Sequence, residues 1–453
     1  MEYIRRNRSL MADGIGPELL LGCIKEHRQR LERLDRLYNY YIGQHKILER
    51  QRQGEYAPNN RLANCFPKYI TDTAVGYVFG NPVAYSYANS ERLVPLTDVL
   101  RRADINTHDA ELGKHLSVFG IAYELAYISG QQPEPRIALV DPRMAFVVYD
   151  DTVEANPLMG ATCFPRYAAN GKSDGYTIIV YTSDRITGYY AKNLTDKPTP
   201  IGFEEPHYFG GVPLLEYWNN EEGMGDYEHV LDLIDAYDVL QSDRINDKEQ
   251  FVNAILLILN GEVDDDTMKT LKNAVLNLPE GTEAKYLTKT LNEAETEILA
   301  KAMADNIHKF SQTPDFTDEK FSGNTSGVAL SYKLMNLENL AKTKERYFVE
   351  GLRQRLALFV HFLRAKAQNV PDAMDIEIAF NRALPINELE NAQTIAMLIN
   401  AGVLSTETAL TRIAAVKDKE AELARIRAER QERDQSRLDA INQPGLSVDD
   451  MTL

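Results

Sequence analysis

The sequence predicts an α+β fold in which helix predominates, and three observations carry that expectation. Over residues 226–259 no Gly or Pro interrupts the chain, and Asn260-Gly261 then supplies a stop, so a helix there would be a rod of roughly 50 Å. Apolar residues recur in alternating threes and fours at Leu330, Leu334, Leu337, Ala341, Phe348, Leu352, Leu356, Phe359 and Leu363, a second helix of roughly 60 Å. Over residues 82–218 the pattern changes to short alternating runs set between turn residues, which is the mark of antiparallel strands. Strand-rich and helix-rich parts are segregated along the chain, hence α+β.

In chain order, residues 17–42 read as one helix closed by Gly43, with Lys25, Arg28, Arg30, Arg33 and Arg36 beside Leu19, Ile24, Leu31, Leu34 and Leu37. A basic amphipathic helix can touch nucleic acid or membrane, but a solvated face is its ordinary use. Residues 51–60 form a polar loop, and 67–79 a helix with Pro67 in its first turn. Strands are expected at 83–87, 121–128, 138–140, 145–149, 162–167, 176–181, 186–190 and 214–217, with short helices at 94–102 and 109–119. The turns at 130–133, 169–171 and 184–185 suit hairpins.

The first long helix is strongly acidic: Asp226, Glu228, Asp232, Asp235, Asp238, Asp243, Asp247 and Glu249 face only Arg244 and Lys248. Its apolar stripe is thin, so one side must meet water or a solvated cavity, whereas 251–259 is apolar almost all round and must be buried. Residues 261–291 hold a helical piece, 265–276, and a strand-like 284–287. The acids Glu262, Asp264, Asp265 and Asp266 suit either partner contacts or a helix start stabilised by its dipole. The next helix opens with an Asn292 to Glu295 capping box and carries Ala294, Ile298, Ala302, Met303, Ile307 and Phe310 on one face. Over 312–327, Pro314, Gly323 and Gly327 break helices, and 322–327 is small and polar. The Lys and Ser/Thr of a Walker sequence are missing and no strand leads in, so a loop between long helices is the reading and a nucleotide site is not. Further on, 374–380 alternates as a strand rejoining the sheet, 387–400 and 406–414 are short helices, 417–437 is a solvated charged helix, and 443–453 is expected to be disordered.

With 453 residues the chain can hold two or three cores. It is 44% hydrophobic and 26% charged, and its longest fully apolar run, 254–259, is far short of a membrane span. Residues 1–21 lack an apolar core and a small-residue cleavage site, so no secretory signal is expected. Cys23, Cys65 and Cys163 are odd in number and far apart, which suits reduced, buried thiols. The eight His are scattered, no His-Glu-x-x-His, Cys-x-x-Cys or Gly-x-Ser-x-Gly occurs, and Asp264 to Asp266 lacks calcium-loop spacing, so no catalytic site, metal or cofactor is expected. A net charge of −17 argues against a protein built to grip duplex DNA. An acidic chain is also a common route to solubility, and only the placement of acids on one rod favours a more specific role.

Four segments then carry a resemblance. Ser-Gly-Asn-Thr-Ser-Gly-Val-Ala-Leu-Ser-Tyr-Lys-Leu (322–334), Tyr-Tyr-Ile-Gly-Gln-His-Lys-Ile (40–47), Asn-Asn-Arg-Leu-Ala-Asn-Cys-Phe-Pro-Lys-Tyr-Ile (59–70, running on through 76–82) and Phe-Asn-Arg-Ala-Leu-Pro (380–385, with Glu388 and Glu390 after it) stand in this order. Together they resemble the portal, or head-to-tail connector, proteins of long-tailed bacteriophages. The resemblance implies a portal fold assembling as a ring: N-terminal helices and α+β wing at 1–225, first stem helix at 226–260, clip at 261–291 and second stem helix at 292–311. A tunnel loop at 312–327, a long wing helix with returning strand and short helices at 328–410, and a crown helix with disordered tail at 411–453 complete it.

By the same resemblance the partners are further copies of the chain, about twelve in cyclic symmetry, a terminase packaging motor, head-completion or adaptor proteins, capsid and scaffold proteins, and double-stranded DNA in passage, with no membrane. The location implied is one capsid vertex of a virion, and the host cytoplasm during assembly. Loop residues Gln312, Phe316, Lys320, Ser322, Gly323, Asn324, Thr325, Ser326 and Gly327 are then expected to face DNA, Asp232, Asp235, Asp238 and Asp243 to line the bore, and Glu262, Asp264, Asp265 and Asp266 to meet partners. An acidic bore repels phosphates on all sides, so a duplex slides without sticking. The other reading of two long helices is a cytosolic coiled-coil scaffold that never touches DNA.

Overall fold

The computed structural model describes residues 3–11, 14–52, 57–129, 133–252, 255–259, 283–287, 293–317, 327–382, 388–411, 413 and 419–441. Strand β1 (Ile4–Arg6) precedes helices α1 (Pro17–Arg28), α2 (Leu31–Tyr41) and α3 (Phe66–Phe79). Strand β2 (Ala84–Ser86), α4 (Ser90–Arg102) and α5 (Ile105–Phe119) follow, then β3 (Ile121–Ser129), β4 (Glu134–Val140), β5 (Ala145–Asp150), β6 (Pro157–Tyr167), β7 (Ser173–Tyr181), β8 (Arg185–Ala191), β9 (Thr199–Pro206) and β10 (Leu214–Trp218). The rest is α6 (Leu231–Val252), β11 (Ile255–Leu259), β12 (Glu283–Leu287), α7 (Glu293–Phe310), α8 (Gly327–Lys333), α9 (Met335–Ala365), β13 (Glu377–Ala379), α10 (Glu388–Asn400), α11 (Thr406–Thr411) and α12 (Lys419–Ile441).

Residues Met1–Thr325 with Ala329–Ala383 form one compact unit, and Ser326–Val328 with Leu384–Leu453 a second, smaller one. In the large unit β5 to β9 make an antiparallel meander, with β1 added in parallel along β5 to give six strands. Strands β10, β3 and β4 form a second antiparallel sheet. In the small unit, Ser405 accepts from the Thr408 amide at 3.1 Å and so caps α11.

Several expectations change. The helix expected over 17–42 is two, because α1 buries Leu20, Cys23 and Ile24 against the six-stranded sheet while α2 buries Leu34 and Leu37 in a separate core; the bend at Gln29 and Arg30 lets each face its own. The first long helix ends at Val252 and is therefore about 33 Å long. The apolar run beyond it is strand β11, paired with β12 from Ile255 opposite Leu287 to Leu259 opposite Glu283. The second long helix is broken at Leu334, leaving α9 about 46 Å long. Strand β13 pairs with β2 in a ladder of its own rather than with the large sheet. Cys65 is exposed, unlike Cys23 and Cys163.

Helix α9 is the spine of the large unit. Its buried Leu337, Ala341, Phe348, Leu352, Leu356, Phe359 and Leu363 share one core with α3, α4, α5 and β10. Gly351 is required there, since a Cβ would stand 2.3 Å from the Tyr217 ring of β10. Two cations lie in the same buried face. Arg355 donates from Nε to Glu124 at 2.9 Å and pairs with Asp109 at 2.7 Å, while His108 Nε2 lies 2.8 Å from Glu124. Burial pushes the Glu124 carboxyl up, but Arg355 and His108 outweigh it and hold it down at about 2. Burial, with smaller contributions from nearby cations such as Arg30 and Lys114, depresses two other groups, His27 and His115, to about 4.

Candidate functional site

The long acidic helix is set by what holds its first turn. Asp226, just ahead of α6, accepts from Lys344 of α9 at 2.9 Å, from Ser117 at 2.6 Å and from Asn219 at 2.8 Å. Lys344 also donates to Ser117 at 2.9 Å and to Asn219 at 2.6 Å, and every member is buried. Burial lowers the Lys344 ammonium from its ordinary value, with Asp226 opposing the shift. A fully satisfied buried network of this kind fixes one geometry. It joins the root of α6 to the spine.

Further along α6, Asp235, Asp238, Ser242 and Asn246 fall at helical spacing on one face. That face is covered by parts of the segments 40–50 and 57–64. The Tyr40 hydroxyl donates to Asp235 at 2.5 Å, and His45 Nδ1 lies 2.6 Å from Asp238. The Asn64 backbone and side-chain amides both donate to Asp238 at 2.8 Å, the Leu62 amide to Ser242 at 3.0 Å, and the Asn60 backbone amide to Asn246 at 2.8 Å. Arg50 pairs with Asp243 at 2.6 Å. An extended chain has backbone donors with no ladder of its own, and these side chains supply the acceptors.

This corrects one expected bore residue. Asp238 is wholly buried between His45 and Asn64 and presents no charge to any cavity. Asp235 is half-buried under Tyr40 and Asp243 is tied to Arg50, so of the four only Asp232 stands fully exposed, 4.0 Å from Arg36. The sequence signal was the asparagine repeat at 59, 60 and 64. Two of these side chains lie against a polar helix face, and pairing the two segments was the inference to make.

The other side of α6 meets α7. Arg244 pairs with Glu293 and, at 2.7 Å, with Glu297, and Lys248 lies 3.3 Å from Glu293. The capping Asn292 lies outside the described residues. On α7 only Ala300 and Ile307 are buried, whereas Ile298 is 70% exposed, Leu299 51% and Phe310 54%. Val239 and Ile245 of α6 are exposed as well. The apolar face of α7 is in good part uncovered.

At the end of α7, Gln312 takes a left-handed φ of +58° and turns the chain away from the helix. Gln312 and Phe316 are exposed, and Gly327 begins α8. Lys320, Ser322, Gly323, Asn324, Thr325 and Ser326 lie outside the described residues, as do Glu262, Asp264, Asp265 and Asp266. Among the described residues no group of His, Cys, Asp and Glu is placed to hold a metal ion, and no helix is long and apolar enough to cross a membrane.

Known proteins resemble this chain over most of its length. The profile of a family described as phage portal protein, SPP1 Gp6-like, matches residues 21–436. The portal protein of Bacillus phage SPP1 is 26% identical over 440 residues, spanning 92% of this chain and 85% of its own. The portal protein of Clostridium phage phiCD119 is 22% identical over 427 residues, spanning 87% of this chain and 91% of its own. Among solved structures, a chain from the neck of an empty GTA particle, computed with C6 symmetry, superposes with a TM-score of 0.44 at 14% identity, over 75% of this chain and 86% of that one.

Proposed function

The chain belongs to the SPP1 Gp6-like phage portal protein family, and from that premise we propose that its copies close into a ring at one capsid vertex, through whose bore double-stranded DNA passes during packaging and ejection. Both relatives are named portal proteins, which supports the same role here. The observation that carries the ring is the uncovered apolar surface of the two helices α6 and α7, with Val239, Ile245, Ile298, Leu299 and Phe310 exposed on one chain. Exposed apolar side chains gathered on two neighbouring helices suit an interface with further copies. Covering each such partly exposed side chain with a neighbouring copy contributes about 0.5–2 kcal/mol.

In this reading residues 1–225 are N-terminal helices and wing, α6 and α7 are the stem, and the strands β11 and β12 belong to the clip that meets a terminase motor and later the head-completion proteins. Residues 312–327 are the loop that faces DNA, the long wing helix and its return follow, and α12 is the crown. Capsid and scaffold proteins surround the ring, which holds about twelve copies in cyclic symmetry. Portal proteins are structural, and the reading assigns ATP hydrolysis to the separate motor. Subunits made in the host cytoplasm end in the virion.

The α6 geometry changes how the bore works. Three of the four acids expected in the bore hold the N-terminal segment in place through Tyr40, His45, Arg50 and Asn64, so of those four the charge left for repelling phosphates is Asp232 and whatever the half-buried Asp235 and Asp243 leave exposed. Native mass spectrometry of the purified chain tests the proposal. One closed stoichiometry, held over a wide range of protein concentration, is expected; a dimer, or a ladder of open oligomers, would overturn it in favour of a coiled-coil scaffold.

A further inference from the structure

The segment that leaves α7 is held at its root by a residue distant in sequence. The Tyr69 hydroxyl, on α3, donates to the Pro314 carbonyl at 2.9 Å and accepts from the Phe316 amide at 3.1 Å. Its ring packs edge-on against His308 with centroids 5.6 Å apart, and His308 stands in the same way on Phe66 at 5.7 Å. His308 Nδ1 reaches the Thr313 carbonyl at 3.1 Å, the Thr313 amide donates back to the His308 carbonyl at 3.2 Å, and both Ser311 and Thr313 are buried. Asp315 then accepts from the Thr317 amide at 2.9 Å and hydroxyl at 2.6 Å. Residues 314–316 have no helix ladder, and the two bonds to one hydroxyl tie their backbone to α3.

We propose that Tyr69 is the positioning residue for the DNA-facing loop: it clamps residues 314–316 onto α3, so that the loop leaves the stem from one place and in one direction in every copy of the ring. The proposal rests on the reading of 312–327 as the loop that faces DNA. The sequence starts the loop at Gln312; the clamp sets a fixed point further on, at Phe316. The phenol belongs to the asparagine-rich N-terminal signature, and the clamp gives that motif a second use beside its contacts with α6.

The test uses full-length rings incorporated into empty procapsids, supplied with the phage's own motor and linear double-stranded DNA. Tyr69→Phe keeps the ring on His308 and removes both hydrogen bonds. Hydrogen exchange at the Phe316 amide is expected to quicken about five-fold, with rings still forming and the DNA protected from nuclease reduced. Gly323→Pro, inside the loop, is the parallel variant and tests the loop reading by itself. Reduced packaging by both variants, with faster Phe316 exchange in Tyr69→Phe alone, is the expected result. If Gly323→Pro impairs packaging and Tyr69→Phe leaves it unchanged, the positioning role is wrong while the loop reading stands. If Gly323→Pro has no effect, the loop reading fails and the proposal with it. Unchanged Phe316 exchange, or loss of rings in Tyr69→Phe, also overturns it, since the clamp would then be absent or merely structural.

Discussion

Asp238 and Asp232 sit on one helix, carry the same charge and have opposite environments, and replacing each by Ala separates pinning from bore lining. In Asp238→Ala, His45 Nδ1 and the backbone and side-chain amides of Asn64 lose their acceptor in a buried place. Each such group left without a partner costs roughly 1–3 kcal/mol, and relaxation keeps the total below their sum, so about 3–5 kcal/mol is expected, as for breaking a buried charged pair. In Asp232→Ala the side chain is exposed and its nearest cation is 4.0 Å away, so the cost stays within about 0.5 kcal/mol. The assay is native-state hydrogen exchange at the Leu62 amide, which bonds Ser242 one turn along the ladder and is not itself mutated. At about 1.4 kcal/mol per tenfold, Asp238→Ala should speed its exchange roughly 100- to 4000-fold and Asp232→Ala less than threefold. Equal effects from the two variants, or a silent Leu62 in Asp238→Ala, would refute the assignment of α6 acids as pins for the N-terminal segment.

Three further outcomes follow from other parts of the molecule. Lys344→Ala leaves Asp226 buried without its cation and should destabilise the large unit by about 3–5 kcal/mol, read from denaturant midpoints, with part recovered on adding Asp226→Asn. His27 and His115 are depressed to about 4, so the stability they give is present above their unfolded value near 6.5 and is lost as pH falls through 4. That amounts to about 3 kcal/mol per site between pH 7 and pH 4, and His115→Leu should flatten the measured profile by one site's share. Charging the uncovered apolar face of α7 with Ile298→Asp and Phe310→Asp together should leave the circular dichroism of the chain intact and abolish its assembly, as light scattering on a sizing column would report.

Periodicity made the spine legible. Phe348, Leu352, Leu356, Phe359 and Leu363 fall at helical spacing and are all buried. It hid Lys344 and Arg355, which share that face, because a charged residue in a stripe reads as surface until its buried partners on other elements are known. The run 255–259 was misread for a related reason: five apolar residues satisfy a buried helix and a buried strand equally, and only the pairing with 283–287 decides. Strand β9 escaped because every residue is exposed and its ends are Thr199 and Pro206, so no alternation marks it. The acids of α6 were legible as a cluster and not as pins, since their partners lie some 190 residues earlier in the chain, as with Tyr40 and Asp235.

Electron microscopy of the purified protein, with class averages viewed down the symmetry axis, tests the central claim most directly. The account predicts a closed ring with an open centre wide enough for a DNA duplex, its inner wall built by α6 and α7. Elongated dimers or fibres, persisting across salt and protein concentration, would contradict it and return the uncovered apolar residues of α7 to a coiled-coil seam.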